Sequence, residues 1–487
     1  MTVKFNNNYA SLPEHFYEVV KPTLVKNPHL VLLNEQLAKD LQIDLSSIDT
    51  ANIFSGNVLV EGSKPIALAY GGHQYGYFVP QLGDGRAILL GDISDVFGNH
   101  FEVQLKGAGQ TRFSRQSDGR LPLGPAIREY IISEFMHSIN IPTTRSLAVV
   151  TTGEMVMREK LLPSAVLTRI SKSHVRIGTF EYFAARGDVA ALRLLADYMI
   201  KNYYPTSGSA NNPYEALLQS IIDAQAYLIA KWSCVGFIHG VMNTDNTSIV
   251  GETIDYGPCA FMDAFDPDTV FSSIDRHGRY AYANQAEIAQ WNLTMLAKCF
   301  IPILSNDINE AIGIAQEAIA SFMPAYERYW LKNMGVKIGI PNPHPNDSML
   351  INDLLDLMYK YHVDFTLSFR CLSQVVGPKS DAKELKNLFN NGRDFSEWLK
   401  RWQVRLGTES RSALAIESHM NSVNPLFIPR NHVVEQAIEL AINENDFTAV
   451  NALIQVLSNP YTDRAACDKY KSPVEASGRV YKTFCGT

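Results

Sequence analysis

Three polar residues near the middle of the sequence have types and a spacing suited to holding a metal ion beside a phosphate. Asn246 follows His239 by seven residues, and Asp255 opens an Asp-Tyr-Gly sequence. In phosphoryl-transfer enzymes with a His-x-Asp loop, an Asn five residues after the loop's Asp and a downstream Asp-x-Gly supply ligands of Mg²⁺. Amide and carboxylate oxygens are the hard donors this ion prefers, and waters complete its octahedron. The spacing therefore predicts Asn246 and Asp255 as metal ligands.

The same stretch lacks the usual catalytic base. Val241 occupies the position of the loop's Asp, and its side chain cannot accept a proton. Asp245, directly before Asn246, is the obvious replacement, because a positioned carboxylate can take a proton from a hydroxyl. The alternative is that the segment is only a loop between a buried helix and a hairpin.

A glycine-rich segment closer to the N-terminus has the composition of a phosphate-binding turn. In QLGDGR at 81–86, Gly83 and Gly85 let backbone N–H groups approach an anion closely. Arg86 adds a planar fork of charged donors. The segment predicts that these three residues bind nucleotide phosphates, although a plain glycine-rich turn has the same composition.

Lys106 ends the strand-like run FEVQLK at 101–106. Side chains alternate along a strand, so Lys106 faces away from Val103 and Leu105. A Lys on the strand after a glycine-rich hairpin is typical of kinase nucleotide sites, where it pairs with a Glu on the next helix. Glu129 is predicted as this partner, with Glu134 as second choice. The alternative is a solvated Lys and a solvated Glu with no common role.

Two further groups of basic and glycine residues could surround a triphosphate. The loop at 107–120 is basic and glycine-rich, with a turn at Asp118 and Gly119, and we expect it to wrap the polyphosphate. Arg169 and Arg176 lie seven residues apart and could clamp a terminal phosphate. A flexible surface loop and two solvated Arg are the alternatives.

The elements that position these residues change character along the chain. Residues from about 55 to 180 are rich in short β-type runs and Gly turns. The runs at 86–93 and 101–106 are joined by a short polar turn, which predicts an antiparallel hairpin. One helix interrupts the strands, from near Pro125 to near Ser138, with apolar residues at helical spacing.

The remainder of the chain is mostly helical in pattern. Helix-type spacing recurs at 188–202, 213–235 and 285–296, with breaks at 203–212 and 341–345. We therefore expect an α+β protein with a protein-kinase-like two-lobed fold. Residues 1–185 would form a β-rich N-terminal lobe, and residues 186–487 a helical C-terminal lobe with an extension.

The composition and charge of the chain argue against several classes of function. Apolar residues make up 46% and charged residues 19% of the 487, and the net charge is −7. A mildly acidic protein has no global attraction to nucleic acid or to anionic lipid. The sequence shows no signal peptide, no apolar run of about 18 residues and no zinc-type cysteine spacing. We therefore expect a cytoplasmic protein in a reducing compartment, with neither nucleic acid nor membrane as a partner.

Several long motifs resemble the selenoprotein O (YdiU-type) family. They span about residues 65–435, and the C-terminal tail adds a further likeness. The motifs are LAYGGHQYG at 68–76, VPQLGDGRA at 79–87, QLKGAG at 104–109, SDGR at 117–120, GTFEYFAARGD at 178–188, HGVMNTDN at 239–246, NQAEIAQWNL at 284–293 and NPLFIPRNH at 424–432.

The resemblance implies a pseudokinase that binds ATP in an orientation flipped from that of ordinary kinases. Such a protein transfers AMP to Ser, Thr or Tyr hydroxyls of other proteins. Asp245 would be the base, and Asn246 and Asp255 would hold Mg²⁺ or Mn²⁺. The residues that would hold the nucleotide are Gly83, Gly85, Arg86, Lys106, Asp118, Gly119, Arg169, Arg176 and Asp255.

The tail resembles the family in one respect and departs from it in another. Family members carry Cys or selenocysteine three residues from the end, which is Cys485 here, and in some it pairs with a cysteine after the Asp-x-Gly. Residues 266–278 contain no cysteine, and Cys259 is nearest. We therefore expect Cys485 to be a free thiol.

Two other functions compete with protein adenylylation. A kinase-like phosphotransferase would use the same ligands, but Val241 stands where such enzymes carry Asp. A non-catalytic pseudokinase scaffold would have no need of Lys106, Asn246 and Asp255 together. Label transfer from the α- or the γ-phosphate of ATP separates the three.

Overall fold

The structure is a computed structural model, and it describes residues 5–47, 49–377, 382–473 and 483. Cys485 lies outside these residues. The strands are β1 (Tyr17–Val19), β2 (His29–Leu33), β3 (Ile66–Leu68), β4 (Gly72–Gln74), β5 (Tyr77–Val79), β6 (Ala87–Ser94), β7 (His100–Lys106), β8 (Leu121–Pro122), β9 (Arg145–Met157), β10 (Leu161–Ser171), β11 (Phe237–Ile238) and β12 (Ala260–Phe261).

The α-helices alternate with these strands at first and then dominate. They are α1 (Glu35–Asp40), α2 (Thr50–Ser55), α3 (Leu123–Ser138), α4 (Ile177–Ala184), α5 (Val189–Asn202), α6 (Pro213–Val235), α7 (Gln285–Leu304), α8 (Ile308–Ala320), α9 (Phe322–Lys337), α10 (Asp347–Tyr361), α11 (Phe365–Ser373), α12 (Lys383–Leu388), α13 (Arg393–Leu406), α14 (Ala413–Val423), α15 (Asn431–Asn443) and α16 (Thr448–Leu457).

An antiparallel sheet of eight strands organises the first 171 residues. Its order is β1-β3-β6-β7-β10-β9-β2, and β8 pairs with β10. The predicted hairpin is confirmed: β6 and β7 pair antiparallel, with Ala87 opposite Lys106. The α+β class is therefore confirmed, with strands that begin earlier in the chain than the expected residue 55.

The sheet is covered on both faces, which places Lys106 on a definite side. Val103 and Leu105 point to the face packed against α1 and α2. The other face receives α3, whose Ile127 and Ile131 are buried. Burying such a side chain contributes about 1.5–3 kcal/mol. Because side chains alternate along β7, Lys106 points toward α3.

Local signals fix the ends of α6 where the sequence predicts them. The Asn212 side chain caps the first turn by accepting from the Glu215 N–H, and Pro213 opens the helix. Gly236 ends it with φ of 70°, where a Cβ would lie 2.9 Å from Met262 Cγ. The helix therefore stops directly before the segment that leads to His239.

The predicted end of α7 is wrong. Spacing placed the end at 296, whereas the helix continues to Leu304 with Pro302 inside it. Proline removes a backbone donor, but Phe300, Ile303 and Leu304 are buried by the extra turns. Packing of these apolar side chains outweighs the missing hydrogen bond.

The C-terminal helices divide between two cores. Trp398 and Trp402 of α13 lie fully buried in a separate core built largely by α10, α11 and α13. Helices α15 and α16 instead return to α3, where Arg128 donates to Asn431 Oδ1 at 3.0 Å. Of the helices in the described ranges, none has the length and apolar character that crossing a bilayer requires.

Candidate active site

A cavity of about 800 Å³ lies beside the sheet and α3. Ten of the residues singled out from the sequence line it: Gly83, Gly85, Arg86, Lys106, Glu129, Arg169, Arg176, Asp245, Asn246 and Asp255. They come from segments up to 172 positions apart. The fold therefore gathers dispersed basic, acidic and glycine residues around one space.

Asp255 is the centre of the charges in this cavity. Lys106 Nζ lies 2.9 Å from Asp255 Oδ1, Arg169 contacts the same oxygen, and Arg176 donates to the other one. Burial opposes ionisation, but the two Arg and the Lys hold the pKa of Asp255 well below its usual range. Asp255 also adopts φ of 63°, a left-handed conformation that is uncommon outside Gly. The carboxylate is thus held ionised in one orientation.

Glu129 links the helix to the same network. Its Oε2 lies 2.7 Å from Lys106 Nζ, and its Oε1 lies 2.7 Å from Arg169 Nη2. Burial would raise the pKa of Glu129, but Arg169 and Lys106 lower it below the ordinary value. Glu134, the second choice from the sequence, pairs instead with Arg145 at 2.7 Å. Strands β7 and β10 and helix α3 therefore meet at one buried carboxylate.

Arg176 connects this network to the segment that carries Asp245. Its guanidinium donates to the backbone carbonyl of Asp245 at 2.6 Å as well as to the Asp255 carboxylate. The group also lies 4.8 Å from the ring centroid of Tyr70, within cation–π range. Arg176 precedes α4 directly, so the start of that helix sets the position of its side chain.

Asp245 and Asn246 lie in a short 3₁₀ turn, Thr244–Asn246. Asp245 Oδ2 accepts from Gln74 Nε2 at 3.1 Å. Its Oδ1 is buried and has no hydrogen-bond partner among the described residues. Burial raises the pKa of Asp245 to about 6. Such a group can change its protonation near neutral pH, as a general base must.

His239 has a supporting position rather than a place in the cavity lining. Its Nε2 is bonded to the carbonyl of Ile254 at 2.9 Å, next to Asp255, and its ring stacks on Trp232. Burial lowers the pKa of His239. The neutral imidazole therefore ties the Asn246 loop to the Asp255 segment.

The glycine-rich segment packs tightly against the basic loop. A Cβ on Gly83, which has φ of 72°, would lie 2.3 Å from Phe113 Cγ. A Cβ on Gly85 would lie 2.9 Å from the Phe113 carbonyl oxygen. Between them, Asp84 points inward, and its Oδ2 accepts from Leu68 N at 3.2 Å and Gln104 Nε2 at 3.1 Å. No side chain beyond hydrogen fits at either glycine.

Asp118 and Gly119 do not line the cavity. The Asp118 carboxylate binds both terminal nitrogens of Arg158, at 2.8 and 2.9 Å, and Arg158 does line it. Gly119 has φ of 69°, and a Cβ there would lie 2.2 Å from Gly109 C. Their influence on a ligand would therefore pass through Arg158 and through the shape of the loop.

Several lining residues have no role predicted from the sequence. Gln74, Tyr75, Asp84, Arg158 and Asn243 all face the cavity. The first two lie in the motif at 68–76, whose unusual density of glycine and polar residues is the signal that could have identified them. Arg158 lies in the turn between two long strands, and nothing local indicates its direction.

Asn246 and Asp255 both line the cavity and carry the oxygen donors that a hard divalent cation prefers. Asn246 Nδ2 donates to the Val241 carbonyl at 3.1 Å, so the amide oxygen is left for another partner. Asp255 adds a carboxylate. Within the residues that the structure describes, no group of three or more His, Cys, Asp or Glu is arranged to hold a metal. Two protein oxygens suit Mg²⁺, which commonly keeps waters and takes phosphate oxygens as its other ligands.

A cationic cavity with buried carboxylates beside an antiparallel sheet fits the class of nucleotide-dependent transferases. A family model described as protein adenylyltransferase SelO matches residues 1–458. A protein nucleotidyltransferase YdiU from Rhizobium johnstonii is 51% identical over 485 residues, which cover 99% of this chain and 97% of that protein. The YdiU protein of Rhodopseudomonas palustris is 50% identical over 492 residues and 100% of both chains. The chain therefore belongs to the SelO family of protein nucleotidyltransferases.

Proposed function

We propose that this protein is a metal-dependent adenylyltransferase that moves AMP from ATP to Ser, Thr or Tyr hydroxyls of other proteins. The observation that carries the proposal concerns two positions of one loop. Val241 occupies the position of the usual base, and Asp245 is the carboxylate that can replace it. The position of the usual base is apolar, while the nearby carboxylate of Asp245 has a raised pKa and one oxygen that no described residue contacts by a hydrogen bond. Membership of the SelO family supports the same activity.

The proposal includes a kinase-like, two-lobed arrangement. Residues 1–185 would form the N-terminal lobe, and residues 186–487 the helical C-terminal lobe. The antiparallel sheet, the helix α3 on one of its faces and the Lys106–Glu129 ion pair support this arrangement. The metal-binding loop would then belong to the second lobe and face the sheet across the cavity.

The nucleotide would be held by the basic wall of the cavity. Arg86, Lys106, Arg169 and Arg176 supply charged donors, and the tight glycine turn allows close approach of phosphate. Gly83 and Gly85 would form that turn. Asp118 would act by orienting Arg158, and Gly119 by closing the loop around the phosphates.

Asn246 and Asp255 would hold Mg²⁺ or Mn²⁺. When bound, the ion would supply charge neutralisation at the phosphate oxygens. Asp255 already lies against three cationic side chains. The triphosphate and its metal would therefore redistribute these ion pairs, so that the Lys and the two Arg turn part of their charge to phosphate.

The chain's own residues account for the transfer step. Asp245 accepts the proton of the substrate hydroxyl, and the hydroxyl oxygen bonds to the α-phosphorus. The bond from that phosphorus to the bridging oxygen breaks, and pyrophosphate leaves with the electron pair. The Arg and Lys side chains stabilise the charge that grows on the leaving group. We place this activity in the cytoplasm, with ATP and hydroxyl-bearing proteins as partners.

ATP labelled separately at the α- and γ-phosphates tests the proposal. Incubation with Mg²⁺ and a protein substrate mixture should put α-label on protein and release γ-label as pyrophosphate. Protein labelled from the γ-position would establish phosphotransfer instead. No label from either position, with ATP still bound, would establish a pseudokinase scaffold.

A further inference from the structure

The hairpin formed by β4 and β5, residues 72–79, packs directly on the turn that carries Asp245. The His73 N–H donates to Thr244 Oγ1 at 2.6 Å, and the Tyr75 N–H donates to Asn243 Oδ1 at 3.0 Å. Gly72 has φ of 146°, and a Cβ there would lie 2.8 Å from Thr244 Oγ1. The hairpin backbone is thus bonded to side chains of Asn243 and Thr244 on both sides of Gln74.

Gln74 uses this contact to reach the Asp245 carboxylate. Its Nε2 donates to Asp245 Oδ2 at 3.1 Å, and both side chains line the cavity. Arg176 reaches only the backbone carbonyl of Asp245 by hydrogen bond. Among the described residues, Gln74 is therefore the side chain that fixes the rotation of this carboxylate.

The consequence concerns the orientation of the Asp245 carboxylate. A carboxylate with two free oxygens can rotate, and its lone pairs then point in variable directions. Here one oxygen has a donor, while Oδ1 is buried without a partner among the described residues. The Gln74 amide is neutral, so it fixes the carboxylate and leaves its negative charge in place. A cationic donor would compensate that charge and weaken the base.

We propose that Gln74 is a positioning residue that holds the Asp245 carboxylate in the orientation in which it accepts the proton of the acceptor hydroxyl. The inference rests on the proposed function, in which Asp245 is the base. Misplacing a catalytic group by about 1 Å can lower the rate about 100-fold. Gln74 therefore controls the rate of transfer and leaves nucleotide binding unaffected.

The backbone bonds of the hairpin make a clean test possible. These bonds do not involve the Gln74 side chain. Asn243 is also held independently of the hairpin, because Tyr280 Oη donates to its Oδ1 at 2.6 Å. Gln74→Met keeps the length of the side chain and removes the donor, so the hairpin should stay in place. Tyr77→Ala on the same hairpin is the matched control, because Tyr77 is 80% exposed.

The experiment measures kcat and KM for ATP, nucleotide Kd and Tm for the full-length enzyme. Gln74→Met should lower kcat about 10- to 100-fold, with the KM, Kd and Tm close to wild type. Gln74→Glu should lower kcat at least as far, because it sets a second carboxylate against Asp245. Tyr77→Ala should transfer AMP at the wild-type rate. A wild-type kcat in Gln74→Met, or a loss explained by a lower Tm or weaker ATP binding, would overturn the inference.

A double-mutant cycle separates this inference from the function on which it rests. In an Asp245→Asn background, Gln74→Met should cause no further loss, since the residue acts through Asp245. The same fold-loss in both backgrounds would refute positioning while Asp245 remained the base. Full activity of Asp245→Asn alone would instead remove Asp245 as the base, and with it the proposed mechanism.

Discussion

Lys106 and Glu129 form a buried ion pair in which Nζ lies 2.7 Å from Oε2. Lys106 is also bonded to Asp255, and Glu129 to Arg169, so the pair belongs to one network of three cations and three carboxylates that includes Arg176 and Asp84. Over the whole cavity lining, six Lys and Arg side chains stand against four carboxyl groups, which leaves an excess of positive charge. This excess suits a polyphosphate, whose negative charges would complete the compensation.

The first prediction concerns the helix side of this network. Glu129→Gln leaves Lys106 and Arg169 with one carboxylate fewer in a buried site, which should lower the free energy of unfolding by about 3–5 kcal/mol. Added ATP should restore part of the loss, because its phosphates supply negative charge. Urea denaturation with and without ATP measures both effects. Equal losses in the two conditions would show that no phosphate reaches these cations.

A second prediction concerns Asp255. Asp255→Ala should abolish transfer of α-label, because the variant loses a metal ligand and releases the three cations from their orientation. Asp353→Ala is the control, since that carboxylate forms an exposed ion pair with Arg401. Scintillation counting of labelled protein checks the outcome. Full activity of Asp255→Ala would remove the metal assignment.

The hairpin, helix and ion pair were predictable because each depends on local pattern. Alternation along 101–106 gives the direction of Lys106, and helical spacing leaves Glu129 off the apolar stripe. Their meeting requires only that the helix pack on the adjacent sheet. The end of α7 was not predictable, because the side chains around Pro302 stabilise the last turns only through tertiary packing.

The contacts of Asp118 and Gln74 lie beyond sequence patterns for another reason. Arg158 reaches Asp118 from 40 positions away, through the register of β9 and β10. Gln74 meets Asp245 across 171 positions. No periodicity within one segment encodes such a distance, so only the folded arrangement identifies these partners.

The third prediction follows from the Asp118–Arg158 pair. Asp118→Asn should raise the KM for ATP several-fold with little change in kcat, because Arg158 loses the bidentate partner that points it at the cavity. Steady-state kinetics with α-labelled ATP measures both constants. Arg158→Met should have a similar effect, and the double variant should be no worse than either single one. Additive losses would show that the two residues act separately.

The pH dependence of transfer gives a fourth prediction. Burial raises the pKa of Asp245 to about 6, so the carboxylate is protonated and unable to accept a proton below that pH. The rate should rise about fivefold from pH 5 to pH 6, about twofold more to pH 7, and then level off. Initial rates at saturating ATP and metal between pH 5 and 8 check this. A flat profile over that range would contradict the assignment of Asp245 as base.

The last prediction concerns stability and a second buried carboxylate, Glu102 on β7. Glu102 is bonded to the ring and the backbone N–H of His174, at 2.8 and 2.6 Å, and Tyr203 Oη lies 3.4 Å away. Burial raises the pKa of Glu102 to about 8 and lowers the pKa of His174 to about 3. Both groups are therefore neutral in the folded protein near pH 7.

The sign of the effect follows from the proton that Glu102 keeps on folding. The contribution of Glu102 to the free energy of unfolding is full below the pKa of the unfolded state, about 4.5. It falls as pH rises and is lost above about pH 8, the pKa in the folded protein. His174 makes the free energy of unfolding rise with pH, but only below the pKa of the unfolded side chain, about 6.5. As pH rises from 6.5 to 8, the titration of Glu102 should therefore lower the free energy of unfolding by about 2 kcal/mol.

Glu102→Gln removes this titration and preserves the shape of the side chain. Urea denaturation at pH 6.5, 7, 7.5 and 8 should show wild-type stability falling about 2 kcal/mol further than that of the variant. Glu61→Gln makes the same change of charge at an exposed position and should keep the wild-type slope. Parallel slopes for wild type and Glu102→Gln would mean that Glu102 is already ionised in the folded protein at pH 6.5. The buried carboxylate would then owe its position to a charge held by His174 rather than to a shared neutral pair.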